Sequence, residues 1–124
     1  MRILIFDDDA ELCEELAELL RSEGYGVDTA TDGFTAARLA FEKRHDLLLL
    51  DMEIPGVNRP ELIKMLRRKN PLLRTCVITG SAFADKRLKK ENISAFVDAV
   101  LLKPLPADLL LEKVGALTAR PPSY

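Results

Sequence analysis

The chain has 124 residues, 48% of them apolar, which suits one ordinary domain able to bury about 65% of its unfolded surface without disulfides or structural metal. Its 18 Lys and Arg against 20 Asp and Glu leave a net charge of −2, so no basic field draws nucleic acid or anionic lipid and direct nucleic-acid binding is not expected. Cys13 and Cys76 lie far apart in apolar segments, as buried hydrophobes do, and with no apolar run of about 18 residues and no signal-type start the chain reads as cytoplasmic, without a membrane partner.

In chain order, Ile3-Leu4-Ile5-Phe6 is a continuous apolar run of the kind that forms a strand buried on both faces. Leu12, Leu16, Leu19 and Leu20 fall on one helical stripe with Glu11, Glu14, Glu15 and Glu18 between them, predicting a first helix that stops near Gly24. Residues 27–30 read as a second strand, Asp32-Gly33 as a turn, and Ala36, Ala37, Leu39, Ala40 and Phe41 as the opening of a second helix. The four leucines 47–50, bounded by His45-Asp46 and Pro55-Gly56, are a central buried strand. Leu62, Ile63, Met65 and Leu66 make a third helix closed near Asn70-Pro71, and residues 76–78 a fourth strand. A polar helix follows around residues 85–91, then a fifth strand at 100–102, then a last helix with Leu110, Val114 and Leu117 on one side. Residues 1–118 form the expected domain, and 119–124 a flexible tail or the start of a linker. Strands alternating with helices, over connections too long for hairpins, imply an α/β fold with a parallel sheet covered on both faces.

Such sheets bind ligands beyond the carboxyl ends of their strands. Asp7-Asp8-Asp9 follows the first strand, Asp51 the third, Thr79 the fourth and Lys103 the fifth, while the second ends at Thr31 with nothing comparable. Crowded carboxylates need a cation or protons, and with no His or Cys converging there the expected cation is Mg²⁺ rather than zinc. A carboxylate is an established nucleophile toward phosphoryl groups, whose oxygens a metal ion, the Lys103 ammonium and the Thr79 hydroxyl would neutralise or bond. Gly80 leaves the approach open, and the Lys103–Pro104 bond is expected to be cis. Singly, each residue has an ordinary explanation: Asp8 or Asp9 as a helix N-cap, Asp51 as a loop residue, Thr79 as a strand end, Lys-Pro as a chance pair. Their coincidence at four adjoining strand ends favours chemistry. His45, the only histidine, falls on the opposite rim and is read as neither ligand nor phosphocarrier, and Arg67-Arg68-Lys69 as a solvated helix end.

With these residues in place, the sequence resembles the receiver domain of bacterial two-component response regulators from Arg2 to about Leu117. The matching residues are Ile3-Leu4-Ile5-Phe6-Asp7-Asp8-Asp9, Gly24-Tyr25-Gly26-Val27, Asp46-Leu47-Leu48-Leu49-Leu50-Asp51-Met52-Glu53-Ile54-Pro55-Gly56, Val77-Ile78-Thr79-Gly80 and Leu102-Lys103-Pro104-Leu105. The resemblance implies a flavodoxin-like doubly wound sheet of order 2-1-3-4-5. It implies that Asp7 and Asp8 hold Mg²⁺ with Asp51 and the Glu53 backbone carbonyl, and that Asp51 is the phosphoacceptor. Thr79 becomes the switch hydroxyl and Lys103 the phosphoryl-binding lysine, with a histidine kinase or phosphotransfer protein as donor. Such a domain catalyses its own phosphotransfer and slow dephosphorylation, and is a signalling module rather than a turnover enzyme.

Two departures stand out. Val100 occupies the position three before Lys-Pro where the family usually has an aromatic, and Asn58-Arg59-Pro60 replaces the usual Asp-Gly, exchanging a free glycine for a residue that the following proline restricts. Val100 keeps open a receiver-like interaction module that signals without phosphorylation. A small phosphohydrolase of the haloacid dehalogenase type uses the same residue types, but its nucleophilic Asp follows the first strand and its acidic pair comes last, the reverse of the order here. The expected surface for an output domain or a homodimer partner is the fourth helix, fifth strand and fifth helix. There Leu109, Leu110 and Leu111 cannot all face the core, and Lys86, Arg87, Lys89 and Lys90 supply a charged rim.

Overall fold

The apolar strand runs are continuous because successive residues enter two different cores. A computed structural model describes residues 1–81 and 84–119; residues 120–124 of the expected tail lie outside them. The elements are β1 (Arg2–Phe6), α1 (Ala10–Ser22), β2 (Gly26–Ala30), α2 (Gly33–Glu42), β3 (Leu47–Asp51), α3 (Arg59–Lys69), β4 (Arg74–Thr79), α4 (Ala84–Lys90), a 3-10 turn at Ser94–Phe96, β5 (Ala99–Leu102) and α5 (Ala107–Thr118). The described strands pair in parallel in the order β2-β1-β3-β4-β5, the doubly wound order that the resemblance implies.

Leu4, Phe6, Leu48, Leu50 and Val77 face one side, against Ala36, Leu39 and Ala40 of α2 and Leu62, Ile63 and Leu66 of α3. Their neighbours Ile3, Ile5, Leu47, Leu49, Cys76 and Ile78 face the other, against Cys13, Leu16, Ala17 and Leu20 of α1 and Leu110 and Val114 of α5. A strand buried on both faces has no polar alternation to show, as its period of two dictates. The edge strand β5 is covered on one face only: Leu101 is buried, while Val100 and Leu102 are exposed.

Several local expectations are corrected. The buried face of α1 is Cys13, Leu16, Ala17 and Leu20, with Leu12 and Leu19 at its margins, because small residues let the helix approach the sheet. α2 starts three residues before Ala36, with Asp32 as N-cap accepting from Thr35 N at 2.7 Å, and its Phe41 is exposed. β4 begins two residues before Cys76, since the ladder to β3 runs from Arg74 regardless of side-chain polarity. Of the basic end of α3, Arg67 and Lys69 lie over the rings of Phe96 and Phe41 rather than standing wholly in solvent. Both cysteines are buried and free, as expected. After α1 the chain reverses at Gly24, whose φ of +94° suits a residue without Cβ, and Tyr25 N closes the turn on Leu20 O at 3.3 Å. No helix among the described residues is long and apolar enough to cross a membrane.

Candidate functional site

β1 and β3 are neighbours in register, with Phe6 beside Leu50, so the next residue of each strand, Asp7 and Asp51, emerges at the same sheet end. Asp51 pairs across to Ile78 and Thr79 to Leu102, which lines up the ends of β4 and β5 beside them. The four ends expected to meet do meet, and β2 stands apart at the sheet edge.

Asp51 is only 2% exposed; its Oδ1 accepts from Glu53 N at 3.0 Å. Lys103 Nζ bridges the acidic residues, 3.1 Å from Asp7 Oδ2 and 3.7 Å from Asp51 Oδ2. The Lys103–Pro104 bond is cis, as expected. Carboxylate oxygens of Asp7, Asp8 and Asp51 lie within 4.8 Å of one another, with Asp8 exposed at the mouth. Three converging hard oxygens without an imidazole or thiolate fit a cation such as Mg²⁺. The aspartate run divides its labour: Asp7 and Asp8 face the cluster, whereas Asp9 is the N-cap of α1, accepting from Leu12 N at 3.1 Å. The ordinary explanation thus holds for one member of the three.

Electrostatics follow from this crowding. Asp51 is pushed up to about 6, by burial first, then by its hydrogen bond with the Glu53 carboxyl and by the Asp7 charge, with Lys103 opposing. Glu53 is held below its ordinary value: partial burial works against this, but Asp51, the Thr79 hydroxyl, the Gly80 amide and Lys103 outweigh it. The Lys103 ammonium is held above its ordinary value, burial being outweighed by Asp7, Asp51 and Glu53.

The Glu53 side chain, two positions beyond Asp51, enters the site: Oε1 accepts from Thr79 Oγ1 at 2.7 Å and from Gly80 N at 3.2 Å. Two features were not anticipated from sequence. Arg59 folds inward beneath the loop after β3, and Arg87 leaves the expected charged rim to donate to the Met52 carbonyl. The available signal for the arginines was the loop itself, whose carbonyls have no ladder and need donors. His45 is on the opposite rim as expected, buried, with Nε2 2.8 Å from Asp28 Oδ2.

Comparison with known proteins agrees with this geometry. Residues 3–115 match the family described as response regulator receiver domain. The chain is 32% identical over 120 residues to the regulatory protein VanRB of Enterococcus faecalis, covering 97% of this chain and 53% of that one. It therefore spans about half the length of such relatives. Among solved structures, a CheY-like receiver domain protein of Methanospirillum hungatei superposes with a TM-score of 0.78 at 28% identity, covering 93% of this chain and 90% of that one. The response regulator TrrA of Thermotoga maritima, in complex with Mg²⁺ and BeF, gives 0.74 at 33% identity, covering 94% and 97%. With its sheet order, its strand-end residues and a family match over nearly its whole length, the chain belongs to the response regulator receiver domain family.

Proposed function

We propose that residues 1–118 act as a phosphoacceptor receiver in which Asp51 takes a phosphoryl group from a histidine kinase or phosphotransfer protein. The observation that carries this is the meeting of Asp7, Asp8 and Asp51 in one cluster with Lys103 bridging Asp7 and Asp51. Asp7, Asp8 and Asp51, with the Glu53 backbone carbonyl, would hold Mg²⁺, and the TrrA complex with Mg²⁺ and BeF lends support. When bound, the ion would supply positive charge against the phosphoryl oxygens. An Asp51 carboxylate oxygen forms the new bond to phosphorus as the phosphorus–nitrogen bond of a phosphohistidine breaks, and the imidazole leaves with the electron pair. Lys103 supplies charge to one phosphoryl oxygen, and Thr79 donates its hydroxyl to another after letting go of Glu53. Hydrolysis by water returns the Asp51 carboxylate and inorganic phosphate.

The longer relatives are named regulatory and transcriptional regulatory proteins. For this chain we accordingly place the readout at α4, β5 and α5, toward an output domain or a second receiver. The setting is cytoplasmic. Exposed Leu102 and Leu109 supply the apolar part of that surface.

A second reading, signalling without phosphorylation, is favoured by one observation: the Glu53 carboxylate already occupies the Thr79 hydroxyl and Gly80 amide that a phosphoryl group would use. Intact-mass measurement after incubation with acetyl phosphate and Mg²⁺ separates the two. Stoichiometric labelling that requires Mg²⁺ and disappears in Asp51→Asn is expected. Labelling that survives the substitution would refute the site, and none in the wild type would favour the second reading.

A further inference from the structure

Arg59 is the one buried lysine or arginine among the described residues, at 5% exposure. A guanidinium is costly to bury unless its donors are satisfied. Its Nη2 donates to the Met52 carbonyl at 2.7 Å and the Ile54 carbonyl at 2.8 Å, and Nη1 pairs with Glu91 Oε1 at 3.1 Å, although Nε is buried without a partner. The two carbonyls bracket Glu53, whose own carbonyl is the proposed backbone ligand for the cation. Met52 is also tied through its own amide, whose N donates to Ile78 O at 3.1 Å, next to Thr79.

The same guanidinium reaches α4. Glu91 directly follows that helix, and its amide donates to Arg87 O at 3.0 Å. From within α4, Arg87 Nη2 donates to the same Met52 carbonyl at 2.6 Å. Leu88 is the one buried residue of α4 among those whose burial is described. The element that moves most easily is the one tied by fewest apolar contacts. Two arginines and a glutamate thus join the loop beside the phosphoacceptor to α4, in a chain where Val100 supplies no aromatic ring to make that connection.

Resting on the reading that Asp51 is phosphorylated with Mg²⁺, we propose that Arg59 is a positioning residue that sets the loop of residues 52–54 for the cation and, through Glu91 and Arg87, transmits the state of Asp51 to α4. A shift of the Met52 or Ile54 carbonyl changes the direction of the guanidinium, and the guanidinium moves Glu91 with it. Lysine would not serve, because its compact ammonium lacks the planar fork that spans two carbonyls and a carboxylate.

The test uses the full chain labelled with ¹⁵N, followed on adding Mg²⁺ and then beryllofluoride, in wild type, Arg59→Lys, Glu91→Ala and Glu91→Gln. In the wild type, amides of Gly80 and Lys103 and those of residues 86–91 shift together. Glu91→Ala should keep the Gly80 and Lys103 shifts and acetyl phosphate labelling while losing at least about half the α4 shifts, with Glu91→Gln, which keeps an acceptor, restoring part of them. Arg59→Lys should weaken Mg²⁺ binding by about tenfold, at the lower end for groups that orient a ligand. Wild-type α4 shifts in Glu91→Ala, or unchanged Mg²⁺ affinity in a folded Arg59→Lys, would overturn the proposal. If the wild type shows neither labelling nor beryllofluoride shifts, the phosphorylation reading fails and this inference falls with it.

Discussion

Thr79 Oγ1 and the Gly80 amide both donate to Glu53 Oε1, so a phosphoryl oxygen arriving at Asp51 has to displace a carboxylate before it can use either donor. The net value of one such bond at a partly open site, about 1 kcal/mol, corresponds to roughly fivefold in rate. Glu53→Ala should therefore raise the rate of Asp51 labelling by acetyl phosphate about fivefold, with Glu53→Gln in between, since it keeps an acceptor but loses the charge. Time-resolved intact mass measures this, and a rate in Glu53→Ala at or below wild type would refute the competition. Asp7, Asp51 and Thr79 were legible in the sequence because short side chains at the ends of adjacent parallel strands have little choice of where to point, and Lys103 because it follows β5 directly and its ammonium finds the carboxylates at the neighbouring strand ends. Arg59 was not, because a long side chain beside a loop is placed by its tertiary partners. Arg59 finds carbonyls 52 and 54 only once the loop has formed, and its sequence neighbours, Asn58 and Pro60, signal a helix start and nothing more.

The helix starts are where element and sequence agree most closely. Asn58 Oδ1 accepts from Glu61 N at 3.1 Å and Pro60 sits in the first turn, which lets α3 begin immediately after the site loop in place of the family's usual glycine. Asn58→Ala should cost about 1 kcal/mol of unfolding free energy and Asn58→Asp almost nothing, read from urea midpoints. Equal stability of all three would mean that the cap is redundant with the Arg59 clamp. Element boundaries were less legible where polarity and hydrogen bonding disagree, as at Arg74, which the β3–β4 ladder recruits although its side chain is exposed. β5 shows the reverse case. Leu102 is 56% exposed although leucine is apolar, because the edge strand has one uncovered face. Leu102→Glu should leave stability within about 0.5 kcal/mol of wild type. It should also reduce phosphorylation-dependent association measured by analytical ultracentrifugation or titration with an output domain; association undiminished by the charge would place the contact elsewhere.

For the molecule as a whole, composition and alternation of elements identify a covered parallel sheet, but they do not choose the order of its strands; right-handed crossovers prune the arrangements without selecting one. The order came from resemblance, and with it the separation of two rims, the carboxylate cluster with Lys103 at the carboxyl ends and a structural rim opposite. On the structural rim a single carboxylate, Asp28 of β2, accepts from Arg2 of β1 at 3.2 Å, Lys43 at 3.0 Å and His45, just before β3, at 2.8 Å. His45 is fully buried, and its Nδ1 has no partner among the described residues, so a second ring proton would have no acceptor. Burial holds the imidazole below its ordinary 6.5, Asp28 pulling it up and Arg2 and Lys43 pushing it down. The unfolded chain therefore takes up a proton near pH 6.5 that the folded chain refuses, so stability is complete above that pH and is lost as pH falls below it. Asp51 acts in the opposite sense: raised from 3.8 to about 6, it binds a proton in the folded state first and adds stability as pH falls through 6. Wild type sums the two, so the test belongs in Asp51→Asn, without divalent cation. There the urea midpoint should fall from pH 7.5 to 5.5, the imidazole resonances should stay those of the neutral ring to below pH 6.5, and adding His45→Gln should flatten the profile. Since His45 is the only histidine, a fall that persists in the double variant would assign the pH dependence to other groups.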